Sequence, residues 1–337
     1  MISRDSMKAI VYRKYGPPSV LNLARVPKPA PRSNEVLIRV AAAEATKADC
    51  EMRGFKFSVK WFWLPLRLAF GVFRPRRSIL GGYLSGTVSA IGEDVTEYQV
   101  GDQVYGSTGL SLGGYGEYVA LPASSTLTEI PSNMSFPEAA AVPLGGLNAL
   151  HFMRRAEIEV GDEVLVIGGG GSIGAHAVQI AKAMGATVTA VDSATKSQYL
   201  IGMGADRVID YRKASFADGK MYDVIFDMVP TTSYTQCMRA LRPRGRYLCG
   251  NPRLSIMFRS FLTNRFSSRR AIFAFARESQ DELSDLTQMI EREQVRSIVG
   301  QVLPLEEAAQ AHELVETEQR VGAVVLVFDF SRTDAQA

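Results

Sequence analysis

A run of glycines near the middle of the chain has the spacing of a phosphate-binding turn. Positions 168–171 are all glycine, and an apolar run precedes them while a helical pattern follows. Glycine permits a tight turn, lets the backbone approach a pyrophosphate and lets the next helix pack on its strand. Free N–H groups at that helix start would bind the phosphates of a dinucleotide. The candidate residues, which include a G-x-G-x-x-G match, are Gly168, Gly169, Gly171, Ser172, Ile173 and Gly174.

The next apolar run, TVTAVD, ends on an acid, Asp192. A carboxylate at this point can accept hydrogen bonds from both ribose hydroxyls and would repel a 2′-phosphate. Ser193 and Lys196 follow at once, and such residues can hold a 2′-phosphate. Asp192 could instead cap the next helix. The pattern predicts NAD(H) or NADP(H) as cofactor and favours NAD.

The elements that position these residues alternate between apolar runs and helical stretches. EVLVIG, TVTAVD and YDVIFDMV are such runs, and AHAVQIAKAMG lies between the first two. This order predicts an α/β fold, with parallel strands joined by right-handed crossovers and residues 270–276 as a last strand. The chain before residue 130 has short apolar runs broken by Gly and Pro, which predicts a β-rich domain. Ser135 with Glu138 three residues later predicts a helix start.

Composition excludes several classes of protein. A length of 337 residues favours two domains. A net charge of +3 without a block of Lys or Arg argues against nucleic-acid binding. Three widely spaced cysteines indicate no disulfide framework, and residues 1–6 lack the apolar region of a signal peptide. A reducing, cytoplasmic location is therefore expected.

Several longer motifs carry a family resemblance that runs nearly from end to end. They include VGDQVYG, GGYGEYVALP, EAAAVPLGGLNALHF, GADRVIDYR and YDVIFDMV. With them the chain resembles the medium-chain dehydrogenase/reductase superfamily, and most its zinc-free quinone oxidoreductase-like branch. The resemblance implies a chaperonin-10-like β-barrel catalytic domain (residues 1–130 and 278–337), a doubly wound Rossmann domain (131–277), an active site between them and a homodimer.

The resemblance also bears on metal binding. Zinc-dependent members place ligands where this chain has Thr46, the Gly81-Gly82-Tyr83 segment and Leu144, so no ligand is kept at these positions. The four-cysteine lobe that binds a structural zinc in the family is absent as well. His151, His176 and His312 fall on helical patterns and are expected to be surface or packing residues. Since zinc needs three or four N, S or O ligands, we expect no metal.

By the same resemblance, five residues are the candidate catalytic groups: Thr46, Asp49, Arg53, Tyr83 and Asn148. Arg53 could hold a carbonyl oxygen or a phosphate, or it could pair with Asp49 or Glu51. Tyr83 could donate a proton or be a buried phenol. Asn148 occupies the position where the family commonly has threonine near the nicotinamide.

On the cofactor side, the resemblance places backbone beside the nicotinamide ribose at the ends of two later strands. The residues expected there are Met228, Val229, Gly250 and Asn251. Ala323 replaces a lysine that the family often has, which weakens the case for NADP further.

Residues 55–77 are the most distinctive segment, with aromatic side chains flanked by Lys and Arg. They could form a lid for a flat substrate, since aromatic faces suit a quinone. Residues 61–73 could instead form a membrane-interface patch, or a packed hydrophobic excursion.

Without a metal, another group must stabilise charge that develops on oxygen. This demand is milder for quinones and α,β-unsaturated carbonyls, because the charge delocalises after hydride addition at carbon. The sequence therefore predicts a zinc-independent, NAD(P)H-dependent reductase of such small molecules. The alternatives are a metal-free alcohol or aldehyde oxidoreductase, or a cofactor-binding protein without turnover.

Overall fold

The computed structural model describes residues 6–57, 63–219, 221–250, 253–274, 278–317 and 320–329. The chain divides into two compact units. The first comprises Met1–Pro143, Ser279–Thr287 and Ser297–Ala337, and the second comprises Leu144–Glu278 and Gln288–Arg296.

The strands and helices are numbered in chain order. The strands are β1 (Ser6–Val11), β2 (Asn22–Pro27), β3 (Glu35–Ala45), β4 (Tyr83–Ile91), β5 (Gln103–Ser107), β6 (Tyr118–Pro122), β7 (Leu127–Glu129), β8 (Glu163–Ile167), β9 (Thr187–Asp192), β10 (Arg207–Asp210), β11 (Tyr222–Asp227), β12 (Leu241–Cys249), β13 (Arg270–Phe273), β14 (Val299–Pro304) and β15 (Ala323–Val327). The α-helices are α1 (Lys47–Gly54), α2 (Trp63–Phe70), α3 (Phe136–Ala140), α4 (Pro143–Arg155), α5 (Ser172–Ala183), α6 (Ser197–Gly202), α7 (Tyr234–Ala240), α8 (Leu254–Phe266), α9 (Gln280–Glu291) and α10 (Ala308–Glu316).

The first unit is built on antiparallel pairing. Its larger sheet has the order β14-β15-β3-β4-β5-β7, with β6 also paired to β3, and β1 pairs with β2. Only β14 and β15 run parallel among its named pairs. The predicted helix start is confirmed, because the Glu138 carboxylate accepts hydrogen bonds from the N–H and hydroxyl of Ser135 at 2.9 and 2.6 Å. The helix that follows, α3, packs on β3 and β4. Residues 131–143 therefore group with the first unit, whereas the sequence analysis assigned them to the second domain.

The second unit is a parallel sheet in the order β10-β9-β8-β11-β12-β13. Counted from β8, this order is 3-2-1-4-5-6, the order of the Rossmann fold. The central strands are nearly continuous apolar runs because helices cover both faces of such a sheet. These features confirm the predicted α/β class. The predicted last strand is present as β13, and residues 275–276 of that prediction lie outside the described residues.

No helix in the described ranges combines the length and the apolarity needed to cross a bilayer.

Glu44 is a buried carboxyl group of the first unit whose pKa lies far above its ordinary value. Glu44, near the end of β3, is fully buried, and among the described residues neither of its carboxylate oxygens has a hydrogen-bond partner. Burial raises the pKa of Glu44 to about 8, and the positive charge of Arg320 offsets this only in part. A carboxyl group in this position is protonated over most of the neutral range.

We predict that Glu44 makes the free energy of unfolding depend on pH. The folded chain binds more protons than the unfolded chain between the ordinary pKa of glutamate and about 8. Stability from this group is therefore complete below that range and is lost as the pH rises to about 8. In Glu44→Gln the corresponding slope, up to about 1.4 kcal/mol per pH unit, should disappear. Urea unfolding between pH 5 and 9 measures it. Glu35→Gln, in the same strand, should keep the wild-type slope, and an unchanged slope in Glu44→Gln would contradict the prediction.

Candidate cofactor site and catalytic residues

The glycine turn joins the end of β8 to the start of α5. Gly168 has a φ of +84°, a left-handed conformation that favours glycine, and Gly171 is the N-cap of α5. A Cβ at Gly174 would lie 2.2 Å from the carbonyl oxygen of Gly168, so this position in the first turn of α5 has no space for a side chain. The turn is held to the next strand, since the N–H groups of Gly168 and Gly169 donate to the Val191 carbonyl at 3.0 and 3.2 Å. The cradle fits a pyrophosphate.

Asp192 ends β9 and ties this strand to the glycine turn. Its carboxylate accepts hydrogen bonds from the N–H groups of Gly170 and Ser193, each at 2.8 Å. The ammonium of Lys196 lies 3.7 Å from Oδ1. Because a carboxylate has about four lone-pair positions, Asp192 keeps capacity to accept from a ribose hydroxyl. Gly170 was missed as a functional residue, although it lies in the glycine run. A Cβ there would lie 2.8 Å from Oδ2 of Asp192.

The ends of β11 and β12 lie beside this turn, at the carboxyl edge of the sheet. Met228 donates its N–H to the Ile167 carbonyl at 3.2 Å, and the Gly250 N–H donates to the Asp227 carbonyl at 3.2 Å. Met228 and Gly250 are thus anchored to neighbouring strands. Asn251 lies outside the described residues.

A buried carboxylate, that of Asp227, holds this edge together. Asp227 accepts hydrogen bonds from the Val229 N–H at 3.0 Å and from the hydroxyls of Thr232 and Tyr247 at 2.9 Å each. Burial raises the pKa of Asp227, and these three donors oppose the rise. The only sequence signal was the position of Asp227 at the end of an apolar run.

In the first unit, Thr46 and Asp49 form the N-terminal cap of α1. The Thr46 hydroxyl donates to Oδ2 of Asp49 at 2.6 Å and accepts from the Asp49 N–H at 3.1 Å. The other carboxylate oxygen, Oδ1, accepts from the Gly81 N–H at 3.0 Å. Both side chains are buried, so their polar atoms serve the start of α1 and the segment before β4.

Tyr115 and His312 extend this cap into a buried network that was not predicted. The Tyr115 hydroxyl is hydrogen-bonded to Asp49 and lies 3.1 Å from Nε2 of His312. Burial lowers the pKa of His312 to about 3, with Arg53 adding to the effect, and it raises the pKa values of Tyr115 and Asp49. His312 is thus uncharged at neutral pH. The motif GGYGEYVALP contained Tyr115, but local sequence gives no sign of a partner so far along the chain.

Arg53 has a partner that the sequence analysis did not foresee. Its guanidinium forms an ion pair with Glu316 of α10, and the Arg53 side chain is only 1% exposed. The pair lines a cleft of about 460 Å³ between α1, the 16–18 turn and Glu316. Cys50 lines the same cleft, and burial raises the pKa of its thiol to about 12, as expected for a packing residue.

The last two candidate catalytic residues are each half-buried within their own unit. Tyr83 begins β4 opposite Ser107 of β5. Asn148 lies in α4, where its side-chain NH₂ donates to the Leu144 carbonyl at 2.8 Å and leaves the amide oxygen available as an acceptor.

The residues at the family's zinc positions do not fit a zinc ion. Thr46 has its hydroxyl bound to Asp49, and Leu144 offers no side-chain donor atom. Across the described ranges, no group of three His, Cys, Asp or Glu side chains lies close enough to hold a metal. His151, His176 and His312 are all buried, in α4, α5 and α10.

Comparison with known proteins agrees with this architecture. Residues 32–132 match the model of the alcohol dehydrogenase GroES-like domain, and residues 203–326 match that of the zinc-binding dehydrogenases. Quinone oxidoreductase of Sus scrofa is 30% identical over 95% of this chain and 98% of its own length. The 2-methylene-furan-3-one reductase of Solanum lycopersicum is 33% identical over 67% of this chain and 58% of its own.

A solved structure supports the same relationship over the whole fold. The quinone oxidoreductase from Coxiella burnetii superposes with a TM-score of 0.84 at 30% identity, and covers 96% of this chain and 99% of its own. The predicted Rossmann and chaperonin-10-like domains are thereby confirmed. The chain belongs to the medium-chain dehydrogenase/reductase superfamily, with quinone oxidoreductases among its relatives.

Proposed function

We propose that the protein is a zinc-independent reductase that transfers hydride from NADH to a quinone or another α,β-unsaturated carbonyl. The observation that carries the proposal is the glycine cradle closed by Asp192, together with the lack of a fitting zinc position around Thr46. A bound dihydronicotinamide would supply the hydride. The relatives named quinone oxidoreductase and 2-methylene-furan-3-one reductase support a conjugated acceptor.

The chain itself contributes binding and orientation. N–H groups at the start of α5 would hold the pyrophosphate, because they lie at the positive end of the helix dipole. Asp192 would accept a hydrogen bond from the adenosine ribose. The anchored backbone at Met228 and Val229, with Gly250 and Asn251, would lie along the nicotinamide ribose. Ser193 and Lys196 would lie beside the adenosine ribose, and we propose that Lys196 balances the charge of Asp192 instead of binding a 2′-phosphate.

The candidate catalytic residues divide into two groups. Thr46 and Asp49 have their polar atoms engaged within the first unit, and Arg53 pairs with Glu316 through one guanidinium nitrogen. We propose that these three residues position α1. Tyr83 and Asn148 are the proposed substrate-facing groups, and the amide oxygen of Asn148 is the clearer acceptor. A conjugated acceptor suits this arrangement because the negative charge spreads over its own carbonyl. We also expect a homodimer in the cytoplasm, which sedimentation and fractionation would test.

The first test is NADH oxidation with quinones, enones and simple aldehydes, each with and without a chelator. We expect turnover only with conjugated acceptors and the same rate with chelator. A simple aldehyde that reacts as fast as the quinones would favour the metal-free alcohol or aldehyde oxidoreductase. Turnover abolished by the chelator would overturn zinc independence, and cofactor binding without turnover would overturn the enzymatic role.

A second prediction concerns cofactor choice. Asp192→Ser should lower kcat/KM for NADH by about 10–100-fold, the value of a charge-assisted hydrogen bond, and should raise it for NADPH. The matched control is Asp210→Ser, because Asp210 ends the neighbouring strand at the paired register position. Steady-state kinetics with both cofactors provide the measurement. A wild-type preference for NADPH, or a preference unchanged in Asp192→Ser, would refute the assignment.

A third prediction concerns Asp49. In Asp49→Asn an NH₂ group replaces one carboxylate oxygen and faces donors, so the free energy of unfolding should fall by about 1–3 kcal/mol. Glu51→Gln, in the same helix, should change it by no more than about 0.5 kcal/mol. Denaturant unfolding compares the two variants. Equal stability of Asp49→Asn and the wild type would argue against a positioning role for this carboxylate.

A further inference from the structure

Helix α8 exposes its apolar side to solvent. Five large apolar side chains recur at spacings that place them on one face of the helix. These are Leu254, Phe258, Phe261, Leu262 and Phe266. Phe258 and Phe261 are each 64% exposed, and Phe266 is 76% exposed. Phenyl rings so open to water, in a row over several turns, indicate a contact surface.

The opposite side of α8 faces the protein through Ile256, which is buried in the hydrophobic core of the second unit, and through polar side chains. Ser260 is buried, and the Thr263 hydroxyl lies 2.7 Å from the Tyr234 hydroxyl. Asn264 exchanges two hydrogen bonds with the backbone of Ala271 in β13, at 2.9 and 2.7 Å. The helix is therefore fixed in orientation by these polar contacts and by the buried side chain of Ile256. These contacts turn its apolar face away from the second unit.

The chain segment that contains α8 carries charge of one sign, and so does one stretch of the first unit. Residues 228–277 contain ten arginines and no Asp or Glu, and residues 52–92 contain seven Lys or Arg and no acid. These two stretches thus hold 17 of the 38 basic residues and none of the 35 acidic ones. The net charge of +3 conceals this separation.

The arginines on and before α8 contact neutral groups. Arg259 donates to the Thr235 hydroxyl at 2.8 Å, Arg265 stacks over Phe266, and Arg253 donates to a backbone carbonyl. Arg270, beyond the helix, does pair with a carboxylate, that of Glu157 at 3.2 Å. The surface therefore combines exposed phenyl rings with guanidinium groups that lack acidic neighbours along the helix.

We propose that α8 docks this protein on an anionic lipid bilayer, lying in the plane of the interface. The rings of Phe258, Phe261 and Phe266 would enter the boundary between headgroups and acyl chains. The arginines would bind lipid phosphates, for which a guanidinium is well suited. A second copy of the chain fits less well, because pairing this face with itself would bring arginines of both copies together.

A shorter segment of the first unit has similar chemistry. In α2, Leu64 and Leu68 are exposed, and Phe73 beyond it is 91% exposed, with Arg74 and Arg76 nearby in sequence. However, α2 has only 8 residues, and its Arg67 stacks over Tyr15 and Phe55. The 13-residue α8 presents the longer row and is the docking helix we assign.

Flotation of the full-length protein with vesicles tests the proposal. The vesicles are phosphatidylcholine alone, or phosphatidylcholine with about 30% phosphatidylglycerol, a fraction that gives a strong negative surface potential. We expect binding to the anionic vesicles at least ~10-fold tighter than to the neutral ones, and weaker binding at high salt. Phe258→Gln/Phe261→Gln should weaken anionic binding ~10-fold or more, since two rings no longer leave water.

The matched control is Val100→Gln/Leu110→Gln, which removes two exposed apolar side chains outside the acid-free stretches and should bind like the wild type. Reduction of a water-soluble quinone should be unchanged in Phe258→Gln/Phe261→Gln, so docking and the proposed function are tested separately. Equal binding to both vesicle types, or wild-type binding by Phe258→Gln/Phe261→Gln, would overturn the proposal. So would a dimer that this variant converts to monomer with no vesicle binding, because the face would then be a subunit contact.

Discussion

The carbonyl oxygen of Gly168 lies so close to Gly174 that only a hydrogen atom fits between them. This contact fixes how near α5 comes to the end of β8, and so where its free N–H groups point. Asp192 completes the arrangement by holding the Gly170 N–H from the neighbouring strand. The same carboxylate, which could accept a hydrogen bond from a ribose hydroxyl, thus also keeps the glycine turn in place. The architecture of the second unit depends on this close approach, because a wider turn would move the helix start away from the sheet edge.

In the first unit, several buried titratable groups are either uncharged or hydrogen-bonded. His312 is neutral, Glu44 has its pKa raised to about 8, and Asp49 has donors on both oxygens. Such groups are costly to bury unless satisfied or neutralised. The network around Asp49 therefore gives α1 a defined position. These hydrogen bonds support the proposal that Asp49 positions α1.

Charge is distributed unevenly along the chain, and the folded structure shows which arginines have acidic partners. The ion pairs Arg246–Asp162 and Arg242–Asp223 show that part of the basic surplus on β12 is matched by acids elsewhere in the second unit. The arginines of α8 contact neutral groups instead. Composition alone suggests a weakly charged surface, yet local imbalance, more than net charge, governs which partners a surface attracts.

Local sequence determined the features that depend only on residues close together in the chain. The glycine turn, Asp192 at the end of the next run, the Ser135 cap and the alternation of strands and helices all depend on neighbours within a few residues or on a fixed period. Only the tertiary structure decided which distant groups meet. Tyr115 and His312, or Arg53 and Glu316, come together through strand order and helix packing. Which side of α8 faces inward likewise depends on contacts with Tyr234 and Ala271. The periodicity of the helix does not contain these contacts, because burial is decided by what a face packs against.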